Sequence, residues 1–202
     1  MFKLLAVTDR ASCRENFEKR LQLLAASGID MLILRAKELS EPEYFDLATT
    51  ALKICRPQQL PLFLHTYPNA CRQLGIFSLQ AGYSQLLQQP QLRTQVKTLG
   101  VSVHTVEEAI SAAALGADYL TAGHIFPTAC KQGLPGRGLD FLSEVCAAVP
   151  LPVYAIGGIT PANIESIKKA GADGACMMSS LMNCPEPAAL IQELRQTLQA
   201  EF

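Results

Sequence analysis

The sequence predicts a (β/α)8 barrel of the α/β class, formed by one domain that spans residues 1–202. Three observations support this prediction: short apolar runs alternate with longer amphipathic segments, the alternation gives eight strand–helix units, and helix caps separate the units. The length lies near the short end of this fold's range, which begins at about 200 residues. A doubly wound open sheet is the alternative. It predicts a Gly-rich fingerprint after the first strand, where this chain has Thr8-Asp9-Arg10-Ala11-Ser12.

The predicted strands are short runs, and most of them are continuously apolar, which is typical of parallel strands buried on both faces. In chain order they are Leu4–Thr8, Met31–Arg35, Leu62–Thr66, Phe77–Gln80, Leu99–Val103, Tyr119–Gly123, Val153–Gly157 and Gly174–Ser179. The helical patterns that alternate with them are Asn16–Ser27, Glu41–Cys55, Asn69–Leu74, Tyr83–Gln95, Val106–Leu115, Phe141–Val149, Pro161–Ala170 and Glu186–Gln199.

Cap residues mark the ends of several predicted helices. Ser40 and Glu43 have capping-box spacing, with Pro42 near the helix start. Glycines in the usual C-cap position follow three helices: Gly28, Gly116 and Gly171. A Gly-Ala-Asp turn into a strand occurs twice, at residues 116–118 and 171–173, which indicates a repeated βα unit.

Composition excludes several classes of protein. The chain has 17 Lys and Arg against 18 Asp and Glu, which argues against a general nucleic-acid binder. No apolar run has the roughly 18–20 residues that span a bilayer, so no membrane partner is expected. Seven cysteines occur without a C-x-x-C pair, which predicts reduced thiols in a cytoplasmic protein.

Barrels place binding and catalytic groups where strands end. Arg35 and Lys37 follow the second strand, and both reach this mouth if Ala36 points outward. We expect them to bind an anion. A surface ion pair with Glu38 or Glu41 is the alternative interpretation.

Pairs of small residues follow strands 7 and 8, namely Gly157-Gly158 and Ser179-Ser180. Many barrels hold a phosphate at these positions, because glycine lets the backbone approach the ligand and helix N-terminal amides face an anion. Tight turns that need positive φ or a cap are the alternative explanation.

The segment 123–138 is a long connection with four glycines, two prolines, Lys131 and Arg137. It contains His124 directly after strand 6, where an imidazole that titrates near neutrality can take and return a proton. A structural role for His124 is the alternative. His65 and His104 are weaker candidates, and without supporting carboxylates the three histidines predict no metal site.

The segment 123–138 resembles the corresponding segment of TenI-type thiazole tautomerases, a branch of the thiamine phosphate synthase superfamily. Signatures of the wider superfamily follow the same order along most of the chain, at residues 4–9, 34–37, 100–105, 116–119, 155–159 and 171–174. The resemblance implies a barrel and a cofactor-free isomerase that aromatises a carboxythiazole phosphate in thiamine biosynthesis. The implied partner is a small phosphorylated thiazole. Whether the chain also associates with a second copy of itself is left open.

The resemblance also assigns site residues. It implies that His124 is the catalytic residue. The expected substrate-binding residues are Arg35, Lys37, Ser102, Thr128, Cys130 and Lys131, and the expected phosphate-binding residues are Gly157, Gly158, Met178 and Ser179.

The chain departs from the synthases of this superfamily at two strand ends. Synthases carry aspartates after strands 3 and 4 that hold Mg²⁺ against a pyrophosphate. Here these places read His65-Thr66-Tyr67 and Ala81-Gly82-Tyr83-Ser84, so no Mg²⁺ site of that kind is expected. Two alternatives to the isomerase stay open: a divergent thiamine phosphate synthase, and a non-catalytic regulator that binds a thiazole or thiamine phosphate.

Overall fold

Eight parallel strands close into a barrel in the computed structural model, which describes residues 1–128, 131 and 133–199. The strands pair in chain order and β1 pairs with β8, which confirms the predicted (β/α)8 class. The strands are β1 (Lys3–Val7), β2 (Met31–Leu34), β3 (Leu62–His65), β4 (Ser78–Gly82), β5 (Thr98–Val103), β6 (Tyr119–Gly123), β7 (Val153–Ile156) and β8 (Gly174–Met177).

Helices surround the barrel and connect successive strands. In the described part of the chain they are α1 (Phe17–Ala25), α2 (Glu41–Cys55), α3 (Pro68–Leu74), α4 (Tyr83–Gln88), α5 (Leu92–Gln95), α6 (Val106–Ala114), α7 (Gly138–Ala148), α8 (Ile164–Lys169), α9 (Ser179–Asn183) and α10 (Pro187–Gln199). None of these described helices has the length and apolar character needed to cross a membrane.

Two apolar layers follow from the alternation of side chains along each strand. On β1, Leu4 and Ala6 pack between barrel and helices, whereas Leu5 and Val7 point into the barrel. The interior layer also contains Tyr119, whose ring centroid lies 5.7 Å from that of Phe63 and 5.2 Å from that of Tyr154. Since side chains fill the interior, the mouth formed by the strand ends is the place where a ligand can bind.

Aspartates tie neighbouring strands together at the opposite end of the barrel. Each carboxylate accepts the backbone N–H of the preceding strand: Asp30 from Leu4 (2.7 Å), Asp118 from Leu99 (2.7 Å) and Asp173 from Val153 (3.0 Å). Two of them belong to the Gly-Ala-Asp turns of the sequence. The repeat is therefore a device that connects strand pairs β5–β6 and β7–β8.

The predicted helix 83–95 is divided in the structure. α4 ends at Gln88, and the separate turn α5 begins at Leu92. Pro90 explains the break, because proline has no N–H for the helix ladder and disfavours helical backbone in the preceding residue.

The end of strand 8 also differs from the prediction. β8 stops at Met177 instead of Ser179, and Ser179 begins the unpredicted helix α9. Leu181 and Met182 of this helix are fully buried, so the apolar run that suggested a longer strand continues as a short packed helix. A short continuous apolar run does not by its periodicity distinguish a buried strand from a buried helix.

Candidate functional site

A cluster of cations lies at the end of β2. Ala36 is buried in the outer apolar layer, so Arg35 and Lys37 on either side of it are directed to the mouth, as expected. Arg35 does not pair with Glu38 or Glu41. Its Nη1 lies 3.1 Å from Oδ1 of Asp9 at the end of β1. The surface-pair alternative is therefore wrong for Arg35.

Lys37 lies near two other cations, Arg35 and Lys131. The pKa of its ammonium is lowered mainly by desolvation. The positive charges of Arg35 and Lys131 lower it further. Among the described residues, neither Lys37 nor Lys131 has a carboxylate within ion-pair distance. A cluster with surplus positive charge attracts an anion, because ionised partners form the stronger hydrogen bonds.

His65 lies beside this cluster at the end of β3 and is almost fully buried. Burial lowers the pKa of its imidazole to about 3, with further contributions from Lys37 and then Arg35. Its Nδ1 lies 2.5 Å from the hydroxyl of Thr66, which has a φ of 75°. A β-branched residue rarely adopts this left-handed conformation, so the strand end is locally strained.

A network of polar side chains lies below the mouth, inside the barrel. The amide of Gln80 donates to Ser102 Oγ at 2.9 Å and to Thr121 Oγ1 at 3.1 Å, and the Thr121 hydroxyl donates to Ser102 Oγ at 2.9 Å. Ser102, an expected substrate-binding residue, thus accepts two hydrogen bonds. Its own hydroxyl hydrogen can then be donated to a ligand. Gln80 ends the predicted strand Phe77–Gln80, but only the barrel register brings it and Thr121 to Ser102.

The segment after β6 is fixed by the backbone carbonyl of Gly123. This oxygen accepts from His104 Nδ1 at 2.8 Å and from Arg137 Nε at 3.1 Å. Because a carbonyl only accepts, Nδ1 of His104 carries the hydrogen. His104 therefore has a structural contact. The half-buried His124 places Nε2 3.4 Å from the carbonyl of Leu134, a long and weak contact.

Gly157 and Gly158 follow β7 with φ values of 105° and 67°. A Cβ on Gly157 would lie 2.4 Å from Cβ of His124, and a Cβ on Gly158 would lie 2.6 Å from the carbonyl oxygen of Pro127. Both glycines are therefore required by the tight turn and by close packing of the β6 segment. This observation supports the turn interpretation and leaves a phosphate role a prediction.

The remaining expected residues lie at the same end of the barrel. Met178 is the N-cap of α9, Ser179 is its first residue, and both are half-buried. Thr128 is half-buried in the segment after β6. Cys130 lies outside the described residues. The mouth thus has a cationic side, formed by Arg35, Lys37 and Lys131, and a side built from the β7 and β8 turns.

The residues at the mouth do not fit a Mg²⁺ ion, which prefers carboxylate ligands. The described ends of β3 and β4 carry no acid, and Asp9 is engaged by Arg35 and by the hydroxyl of Ser12. Over the described ranges, no group of three or more His, Cys, Asp or Glu side chains could hold a metal ion.

Comparisons with known proteins identify the relatives of this chain. The family model described as thiamine monophosphate synthase matches residues 4–181. The chain is 35% identical to a thiamine-phosphate synthase of Lacticaseibacillus paracasei, over 98% of this chain and 94% of the relative. It is 32% identical to that of Enterococcus faecalis, with the same shares covered. A solved structure of thiamine phosphate pyrophosphorylase from Pyrococcus furiosus superposes with a TM-score of 0.81 at 26% identity, covering 98% of this chain and 96% of the other.

These relatives correct the expected activity. They are named for the synthase, and they match over nearly their whole length, which contradicts the thiazole tautomerase and its isomerase class. The divergent synthase, kept as an alternative, agrees better with them. The wider superfamily suggested by the sequence is confirmed, because the match extends from β1 into α9. The chain belongs to the thiamine monophosphate synthase family.

Proposed function

We propose that the chain is a transferase that couples a pyrimidine pyrophosphate to a thiazole phosphate with departure of pyrophosphate. The observation that carries this proposal is the cation cluster at the mouth, in which Lys37 and Lys131 have no carboxylate within ion-pair distance among the described residues. The cation cluster comes from β2 and the β6 segment, and a second anion site on the turns after β7 and β8 is part of the proposal. Two phosphorylated substrates need two such sites. The names of the relatives support the same reaction.

In this proposal the cations act on the leaving group. Negative charge grows on the departing pyrophosphate, and fixed positive groups stabilise it more strongly than they stabilise the bound substrate. Arg35, Lys37 and Lys131 would serve this role, since Asp9 holds the Arg35 guanidinium in place.

The thiazole phosphate would bind at the turns after β7 and β8, on the backbone of Gly158, Met178 and Ser179. Ser102 would donate its free hydroxyl hydrogen to a ring substituent. His124 becomes a residue that packs the β6 segment on Gly157, because the proton shift for which it was expected is contradicted.

The test measures the formation of thiamine phosphate from the two substrates by chromatography. The reaction is run once in EDTA and once in Mg²⁺. We expect product with the wild-type chain. Ser179→Asp places a carboxylate beside the bound phosphate, so we expect a loss of activity of about 100-fold or more from like-charge repulsion. Ser179→Asn is the matched neutral control and should remain active. A wild-type chain that binds both substrates and forms no product under either condition would contradict the proposal in favour of the non-catalytic regulator.

A further inference from the structure

Two carboxylates at the ends of β1 and β2, Asp9 and Glu38, are already engaged. Asp9 pairs with Arg35 at 3.1 Å and accepts from the hydroxyl of Ser12, and Glu38 lies 3.5 Å from Nη1 of Arg10. A divalent cation placed here would have to displace these partners. It would also meet the positive charges of Lys37 and Lys131, which repel it.

The same cluster has the charge that an anion requires. Lys37 and Lys131 lack carboxylate partners within the described ranges, and each ammonium has three donors. Buried His65 lies next to them and remains neutral at physiological pH, since its pKa is about 3. It therefore adds no further positive charge to the cluster.

We infer that this mouth binds the pyrophosphate end of its ligand through side-chain cations alone, and that Mg²⁺ is not part of the binding site. The inference rests on the proposed function for its choice of ligand. It differs from what the superfamily resemblance implies, because the side chains that would carry the metal are replaced or engaged while the positive charge comes from lysine and arginine.

Calorimetric titration with inorganic pyrophosphate tests this inference without relying on turnover. The full chain is titrated once in EDTA and once with Mg²⁺ in excess over pyrophosphate. Mg²⁺ complexes pyrophosphate in solution, so a site made of side-chain cations binds as tightly or more tightly in EDTA. A site that needs the metal binds more tightly with Mg²⁺. The direction of the change therefore separates the two kinds of site.

Lys37→Gln provides the second arm, with Lys53→Gln on the exposed surface of α2 as the matched control. Loss of a charged donor should weaken pyrophosphate binding in EDTA by about 10- to 100-fold, whereas the control should bind like the wild type. Lys37 is not part of the apolar core, so the substitution is compatible with folding.

The outcomes separate this inference from the proposed function. Metal-free binding that depends on Lys37, in a chain that forms no thiamine phosphate, would keep the inference and reject the transferase. Binding that is absent in EDTA, that Mg²⁺ tightens 10-fold or more, or that Lys37→Gln leaves unchanged would overturn the inference, even if thiamine phosphate is formed.

Discussion

At the residue scale, His65 couples the charge of the mouth to the pH dependence of stability. Its folded pKa is about 3, below the ordinary value of 6.5, because burial and the neighbouring cations disfavour the protonated ring. The unfolded chain therefore binds more protons between pH 6.5 and pH 3. The contribution of neutral His65 to the free energy of unfolding is therefore fully present above pH 6.5. It is lost as the pH falls from 6.5 towards 3.

We expect His65→Asn to reduce this acid sensitivity. Each pH unit within the window changes the free energy of unfolding by about 1.4 kcal/mol for one such group. Between pH 6.5 and pH 4.5 the wild type should therefore lose roughly 2 kcal/mol more than the variant, measured by urea unfolding at both values. His104→Asn is the control on an exposed histidine. If the wild type and His65→Asn lose the same free energy of unfolding between the two pH values, His65 is not the cause of the acid sensitivity.

At the scale of elements, α9 is held in place by a side chain from α1. Nη1 of Arg20 donates to the carbonyls of Leu181 (3.2 Å) and Cys184 (2.7 Å), and Nη2 pairs with Glu15 at 2.5 Å. Arg20 is 5% exposed, so these groups have little access to water. Because Ser179 begins the same helix, Arg20 is a positioning residue for the proposed phosphate site.

Replacing Arg20 should therefore affect one ligand more than the other. Arg20→Met keeps much of the side-chain volume but leaves two carbonyls unpaired, which costs about 1–3 kcal/mol of stability. We expect the KM for thiazole phosphate to rise about 10-fold while the affinity for inorganic pyrophosphate stays unchanged. Lys19→Met is the control, since exposed Lys19 pairs with the same Glu15 at 3.4 Å. Equal weakening of both ligands would indicate general loosening of the barrel instead.

The same scale shows which features the sequence could predict. Apolar periodicity and caps identify elements that local pattern determines: α2 and β6 have the predicted bounds, and Glu43 accepts the N–H of Ser40 at 2.9 Å as the capping box requires. The division at Pro90 could have been inferred from the proline itself. α9 could not, because a short apolar run fits a strand end or a buried helix equally well.

The candidate site was predictable only in part, for a related reason. The position of Arg35 and Lys37 at the mouth follows from the burial of Ala36 between them, and their role in binding an anion stays a prediction. Contacts between strands depend on barrel register, which the local pattern does not contain. The pairing of Arg35 with Asp9, the burial of His65 and the contact of Gln80 with Ser102 therefore emerged only from the structure.

At the scale of the whole molecule, the two ends of the barrel have different tasks. The mouth keeps uncompensated charge, while the opposite end uses its charged groups for strand connections. Asp30, Asp118 and Asp173 each accept a backbone N–H, and Asp30 is also held by Arg195 from α10 at 3.1 Å. In barrels, residues at this end serve stability and those at the mouth serve function.

This division predicts that the aspartates affect stability without affecting ligands. Asp173→Ala removes the acceptor for Val153 N–H and should lower the free energy of unfolding by about 1–3 kcal/mol, because hydrogen bonds to charged groups contribute that much. Asp173→Asn keeps an acceptor oxygen and should lose less. Asp118→Ala acts on another strand pair, so the double variant should lose the sum of the single losses in urea unfolding. Pyrophosphate affinity should equal that of the wild type in every variant. Weaker binding in the aspartate variants, or a double loss far from the sum, would show that the two ends of the barrel are energetically coupled.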